Sequence, residues 1–319
     1  ETKYASSTHY FGKPVYTYSL KQGIEDGFLA PYKVVKVHLD KDVEGYRPHV
    51  GDQDRDGNTI EDRQYNQKDF DVHIVIDERT QLVAKKITQY LKESGDPYQK
   101  SIVFCVDEEH AERMRQAIAN ENKAECLKDS RYVMRITGSD SEGKSQLGNF
   151  IDPESRYPVI ATTSKLLSTG VDVQTCRLIV LDREVGSMTE FKQIIGRGTR
   201  VHEDTKKYFF TIIDFRKATN NFAEPEFDGD PVSIYEPAET GPVCPPDDVD
   251  PPNPGDIDDG NETIIFDGTG EMPTPTGKRN KIYVDGVSVT ILAERVEYLD
   301  ANGKLITESL KEFSKKTLK

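Results

Sequence analysis

Ser101–Asn120 reads SIVFCVDEEHAERMRQAIAN. Ile102–Val106 is a short, wholly apolar run rich in β-favouring residues, and Asp107–Asn120 follows it with helical periodicity. The unit recurs along the chain. Further apolar runs lie at Tyr132–Ile136, Pro158–Ala161, Arg177–Leu181 and Tyr208–Ile213. Helical patterns at Lys144–Ile151, Ser164–Thr169 and Thr189–Ile195 separate them. Upstream, Gln81–Lys92 places Leu82, Val83, Ile87, Tyr90 and Leu91 on one helical face, with Thr80 as the expected N-cap. Buried strands alternating with helices predict an α/β fold: an open, mainly parallel sheet with helices on both faces. In such sheets ligands sit outside the carboxyl ends of the strands.

The flanks have a different texture. Leu20, Ile24 and Phe28 predict a helix in YSLKQGIEDGFL, and Tyr32–Leu39 alternates like a strand. Residues 41–70 are polar and turn-rich. Asp52, Asp54, Asp56 and Gly57 imitate the start of a calcium loop, but Arg63 stands where a bidentate Glu belongs, so a turn is expected and calcium is not. Residues 223–262 hold thirteen acidic residues, nine prolines and no Lys or Arg, the composition of an extended acidic linker. That segment carries nearly all of the net charge of −14, so the remainder is close to neutral and local basic patches can meet a polyanion. Beyond it, Ile282–Val284 and Val287–Val289 around Asp285-Gly286 predict a hairpin. A second hairpin is expected to join Glu297–Leu299 to Leu305–Thr307, with a helix over Thr307–Leu318. Cys105, Cys126, Cys176 and Cys244 share no ligand-like spacing, so they read as reduced thiols of a cytoplasmic protein, with no metal site. No apolar run is long enough to span a membrane. A chain that starts at Glu1 reads as a piece of a longer protein.

Two stretches invite a nucleotide. Gly138–Ser145 satisfies the phosphate-loop pattern GxxxxGK[ST] after a strand-like run, yet Asp140 and Glu142 put negative charge inside the cradle. No convincing magnesium-binding acidic pair follows it; Leu181-Asp182 is the nearest and runs into Arg183-Glu184. The match is therefore read as chance. Phe191–Arg200, FKQIIGRGTR, sets Gln193, Gly196, Arg197 and Arg200 in the pattern Gln-x-x-Gly-Arg-x-x-Arg. Its apolar helix runs into glycines that let two guanidiniums approach an anion closely. Taken alone, a solvated Arg-Gly turn explains it equally well.

Context decides between these readings. SIVFCVDEEHAERM (Ser101–Met114), VIATTSKLLSTGVDV (Val159–Val173) and Gln193–Arg200 resemble, in order and spacing, motifs IV, V and VI of the second, RecA-like motor domain of superfamily-2 helicases. In that frame the phosphate-loop position is the degenerate turn after Ile102–Val106, not Gly138–Ser145. Tyr18–Tyr32, the run from FIDPESRYPVIATT to LIVLDR, MTEFKQIIGRGTR and the tail VEYLDANGKL are very similar to the motor subunit of type I restriction–modification enzymes.

The resemblance implies an ATP-dependent DNA translocase serving a type I site-specific deoxyribonuclease. Its nuclease domain and first motor domain, which holds ATP and Mg, would lie outside this chain. It further implies that Arg200 is the arginine finger, Arg197 a second phosphate contact, and Gln193 and Gly196 nucleotide contacts. Gly170 and Asp172 would meet the ribose; Thr162, Thr163, Thr137 and Gly138 would hold the backbone of double-stranded DNA. Residues 1–73 are expected to link from the first motor domain, 74–222 to form the second, 223–262 to be the linker, and 263–319 to begin a C-terminal domain docking on the modification and specificity subunits of the methyltransferase. The alternatives are another superfamily-2 helicase, a self-sufficient P-loop NTPase using 138–145, or a protein-interaction module whose arginines meet carboxylates.

Overall fold

The computed structural model describes residues 20–30, 32–165, 167, 171–219, 281–299 and 305–308. Its strands are β1 Tyr32–Leu39, β2 Ile74–Ile76, β3 Lys100–Cys105, β4 Val133–Arg135, β5 Ile160–Thr163, β6 Cys176–Asp182, β7 Phe210–Asp214, β8 Ile282–Val284, β9 Ile291–Leu299 and β10 Leu305–Glu308. Eight of them form one sheet in the order β10-β9-β1-β7-β6-β3-β5-β4. From β1 to β4 every neighbouring pair is parallel. β9 and β10 extend the β1 edge antiparallel. This is the expected α/β architecture.

Helices cover both faces. Phe191, Ile194 and Ile195 of the helix Met188–Ile195 and Phe150 of the helix Leu147–Ile151 pack on one, against Ile102, Phe104, Ile179, Leu181 and Phe210. On the other, Val83, Ile87 and Leu91 of Asp77–Glu93 and Ala111, Met114 and Ile118 of Glu108–Glu121 meet Val35, Val103, Val180 and Ile213. Alternate residues of one strand thus feed opposite cores, which is why the central strands are apolar throughout.

Several expectations need correction. Thr80 is not an N-cap: the helix begins at Asp77, with two acids in its first turn, and Thr80 is buried in the second. Lys144–Ile151 is two short helices, Ser141–Ser145 and Leu147–Ile151, rather than one. The hairpin at 282–289 does not form. Ile282–Val284 pairs parallel with Ile74–Ile76, because Arg55 holds Asp285 at 2.6 Å and Glu78 accepts the Gly286 N–H at 2.6 Å, turning the chain toward a helix start. The two strands of the second expected hairpin do pair antiparallel, with Leu305 opposite Leu299.

Two further flanking features stand out. The calcium-like loop is a turn in which the Asp54 carboxylate accepts the N–H groups of Asp56 and Asn58 at 3.0 and 2.8 Å. Residues 32–39, placed by the sequence in a linking segment, are an interior strand of the main sheet. Half of Ser164–Thr169, together with Gly170, the acidic linker and the end of the tail, lies outside the described residues. Among those described, no helix is long and apolar enough to cross a membrane.

Candidate active site

The helix Met188–Ile195 starts where the Ser187 side chain accepts the Glu190 N–H at 3.2 Å. Its apolar face is buried, which leaves Gln193 exposed on the opposite face. The chain then tightens: Arg197 and Gly198 donate backbone N–H groups to the carbonyls of Ile194 and Ile195 at 3.1 and 2.8 Å. Gly198 has no substitute here. A Cβ on it would lie 2.2 Å from the Phe210 ring, so only hydrogen lets the loop settle on the sheet. Gly196 keeps ordinary helical dihedrals, φ −55° and ψ −18°, and serves as the helix C-cap. On the far side, the Ala30 N–H donates to the Thr199 carbonyl at 2.7 Å, pinning the loop to the residues that precede β1.

These contacts bring three of the sequence-predicted residues together. The Arg200 Nε lies 3.5 Å from Asp172 Oδ1, both side chains being half exposed or more. Arg197 is half-buried, and one of its guanidinium N–H groups donates to the Val171 carbonyl. Burial pushes Arg197 below the ordinary arginine range; Asp172 opposes this and the charge of Arg200 adds to it. The guanidinium stays charged regardless. Arg200 therefore pairs with Asp172 at the surface, while Arg197 feels that carboxylate only through its field. An exposed ion pair of that kind is worth little, about 0–1 kcal/mol, so a polyanion can displace Asp172 from Arg200 at small cost. Gly170, the remaining member of the ribose pair, lies outside the described residues.

The expected DNA-binding residues fare differently. Thr162 is buried and its hydroxyl donates to the Ala111 carbonyl at 2.9 Å, which removes it from the donors open to a phosphate. Thr163 and Thr137 are also fully buried, their hydroxyls unpaired among the described residues. Gly138 is exposed, but the Glu108 carboxylate accepts both the N–H and the hydroxyl of its neighbour Ser139. A phosphate approaching there meets a negative charge.

The phosphate-loop look-alike is occupied by its own side chain. Asp140 accepts the N–H groups of Glu142 and Gly143, each at 3.1 Å, and is held by the Arg135 Nε at 3.0 Å. A Cβ on Gly143 would fall 2.0 Å from the Arg135 carbonyl, so this glycine serves internal packing rather than an incoming anion.

Asp182, the nearest sequence candidate for a magnesium carboxylate, is spent as well. It is fully buried between Arg79 and Arg216, each 2.9 Å away. Arg183 and Lys207 carry no recognisable signal in the sequence, yet both organise the site. Arg183 donates to the Ser164 carbonyl at 2.8 Å and to Glu190, tying the turn after β5 to the helix that ends in the arginines.

Comparison with known proteins bears on the family of the chain. Residues 83–202 match the helicase conserved C-terminal domain. Across its whole length the chain is 51% identical to the EcoAI type I restriction enzyme endonuclease subunit of Escherichia coli. It is a homologue of type I restriction enzyme endonuclease subunits. The homologous EcoKI subunit of E. coli strain K12 is 32% identical over 64% of this chain. A solved fragment of a type I restriction enzyme subunit from Vibrio vulnificus YJ016 aligns with a TM-score of 0.57 and 44% identity, covering 70% of this chain and 39% of that one. The chain spans 41% of the EcoAI subunit and 18% of the EcoKI subunit.

Proposed function

We propose that this chain supplies the arginine half of an ATP site in the DNA-translocating motor of a type I restriction enzyme. The observation that carries the reading is the pair of arginines at the end of one half-buried helix, Arg200 exposed in a long ion pair with Asp172 and Arg197 half-buried beside it. Phosphoryl transfer to water depends on positioning and on stabilising charge at the γ-phosphate. Arg200 would stabilise that charge, Arg197 would hold a neighbouring oxygen, and Gln193 and Gly196 would border the nucleotide, with Asp172 and Gly170 toward its ribose. The phosphate loop and Mg would come from a preceding motor domain. The ends of β4 and β5, with Thr137, Gly138 and Thr163, would lie toward the DNA backbone, and of these Gly138 is the exposed one. The C-terminal region would dock on the methyltransferase subunits. Residues 223–262 would act as the spacer to that region.

One assay on the complete subunit separates this from a self-sufficient P-loop at 138–145. Arg197→Ala should lower kcat for DNA-dependent ATP hydrolysis by about 10²-fold, the usual effect of deleting one donor to a developing oxyanion. Lys144→Ala should leave it unchanged within a factor of about two, as expected of a surface substitution. The reverse pattern would transfer the active site to Gly138–Ser145.

A further inference from the structure

Lys207 is fully buried, with no carboxylate among its hydrogen-bond partners. It closes a tight turn in which His202 and Lys207 exchange backbone hydrogen bonds at 3.1 and 2.9 Å, just before β7. Its ammonium donates to three backbone carbonyls: Gln174 at 2.8 Å, Gly198 at 2.8 Å and Arg200 at 2.7 Å. An ammonium has three N–H donors, so all are used. Gln174 is two residues beyond Asp172, whereas Gly198 and Arg200 flank Thr199 in the arginine loop. One cation thus ties the loop bearing Asp172 to the loop bearing Arg200, from underneath.

A buried ammonium held only by carbonyl dipoles is an expensive device if structure alone is required, since an apolar side chain would fill the same space without a desolvation penalty. What the charge adds is a fixed path for the Arg200 main chain. Held at Thr199 by Ala30 and on either side by Lys207, the loop sends the Arg200 side chain outward beside Asp172. We infer that Lys207 is a positioning residue that sets the arginine loop for phosphoryl transfer. The inference rests on the assignment of Arg200 made above.

The anchor depends on protonation. Burial brings the Lys207 ammonium down to about 8; Cys176 and Asp172 favour the charged form and Arg177 opposes it. Below that pH the lysine is charged and all three carbonyls are held. Above it one donor is lost and the two loops separate more easily.

The test uses the complete subunit with ATP, Mg and DNA. Lys207→Met, which keeps the length and removes the charge, should reduce kcat at least ten-fold and change KM by less than about three-fold, because most ground-state binding of ATP would lie on the other motor domain. Added to Arg200→Ala, it should cost almost nothing more, since a residue acting through Arg200 has nothing left to position. Full additivity of the two losses, or a Lys207→Met kcat within a factor of about two of wild type, overturns the inference. An Arg200→Ala subunit with near wild-type hydrolysis instead overturns the assignment beneath it. If Lys207→Met does not fold, the unmutated subunit decides: its kcat must fall as pH rises through about 8. A flat profile from about pH 7 to about pH 9 rejects the anchor.

Discussion

Arg200→Ala in the complete subunit is expected to depress DNA-dependent ATP hydrolysis by roughly 10³–10⁵-fold, the range over which arginine fingers act. The effect follows from the finger role proposed for Arg200, and the position of the guanidinium separates it from any effect on the fold. Its side chain is 58% exposed, and its ion pair is a 3.5 Å contact to an equally accessible Asp172. Such a group contributes little to the fold, so the variant should stay within about 0.5 kcal/mol of the parent in urea unfolding. In a closed two-domain site the same guanidinium would be dehydrated against the γ-phosphate, where a charge–charge contact is worth far more than in water. Single-turnover hydrolysis under saturating ATP and DNA measures the loss directly. Arg200→Lys should recover only part of it, because an ammonium cannot reproduce the planar fork. Retention of most of the rate by Arg200→Ala would mean that the catalytic cation lies elsewhere.

The largest effect on stability is expected at Arg79. Seven side chains from distant parts of the chain meet around the carboxyl end of β6, an interior strand: Asp42, Asp71, Arg79, His110, Arg113, Asp182 and Arg216. Arg79 grips Asp42 with two hydrogen bonds of 2.8 Å and reaches Asp182 at 2.9 Å, while Arg216 joins Asp182 to Asp71 at 2.9 and 2.7 Å. Three carboxylates face three guanidiniums, and all but Arg113 are essentially inaccessible to solvent. Arg79→Met leaves buried carboxylates uncompensated and should cost about 3–5 kcal/mol. Equilibrium urea unfolding at neutral pH reads this; a loss under about 1 kcal/mol would show that the network is dispensable.

Acid should act on the same network. Burial by itself would raise Asp71 and Asp182, but Arg79, Arg216 and His110 outweigh it and hold both carboxyls far below the usual range. Folded-state values depressed in this way give stability that is fully present above the unfolded carboxylate value of about 4 and is lost as pH falls below it. The wild-type chain should therefore weaken steeply from about pH 5 downward, and Arg79→Met should show a shallower slope over that interval. Equal slopes would mean that these carboxylates do not govern acid sensitivity.

Much of the fold was legible because buried parallel strands are contiguous apolar runs. All five runs from Ile102–Val106 to Tyr208–Ile213 became β3 to β7, with ends moved by one or two residues. Strand order was not legible. β1 lies between β7 and β9 through long-range hydrogen bonds, and no local pattern encodes a partner. The hairpin over 282–289 failed for a related reason: Asp285-Gly286 has the right turn chemistry, but Arg55 and Glu78, more than 200 positions away, compete for it.

By itself the sequence determined the alternation of strands and helices and the pairing of two arginines with two glycines at a helix end. Those are local properties, written in hydrophobic period and backbone freedom. Only the tertiary structure decided which polar groups remain available. It spent the hydroxyl of Thr162 on Ala111, the carboxylate of Asp140 on its own loop, and Asp182 on two buried arginines. It also brought Lys207 under the arginine loop and left Arg200 facing solvent beside Asp172. The physical reason is common to all of these: a buried polar group must find a partner wherever the fold supplies one, and that partner's distance along the chain is arbitrary.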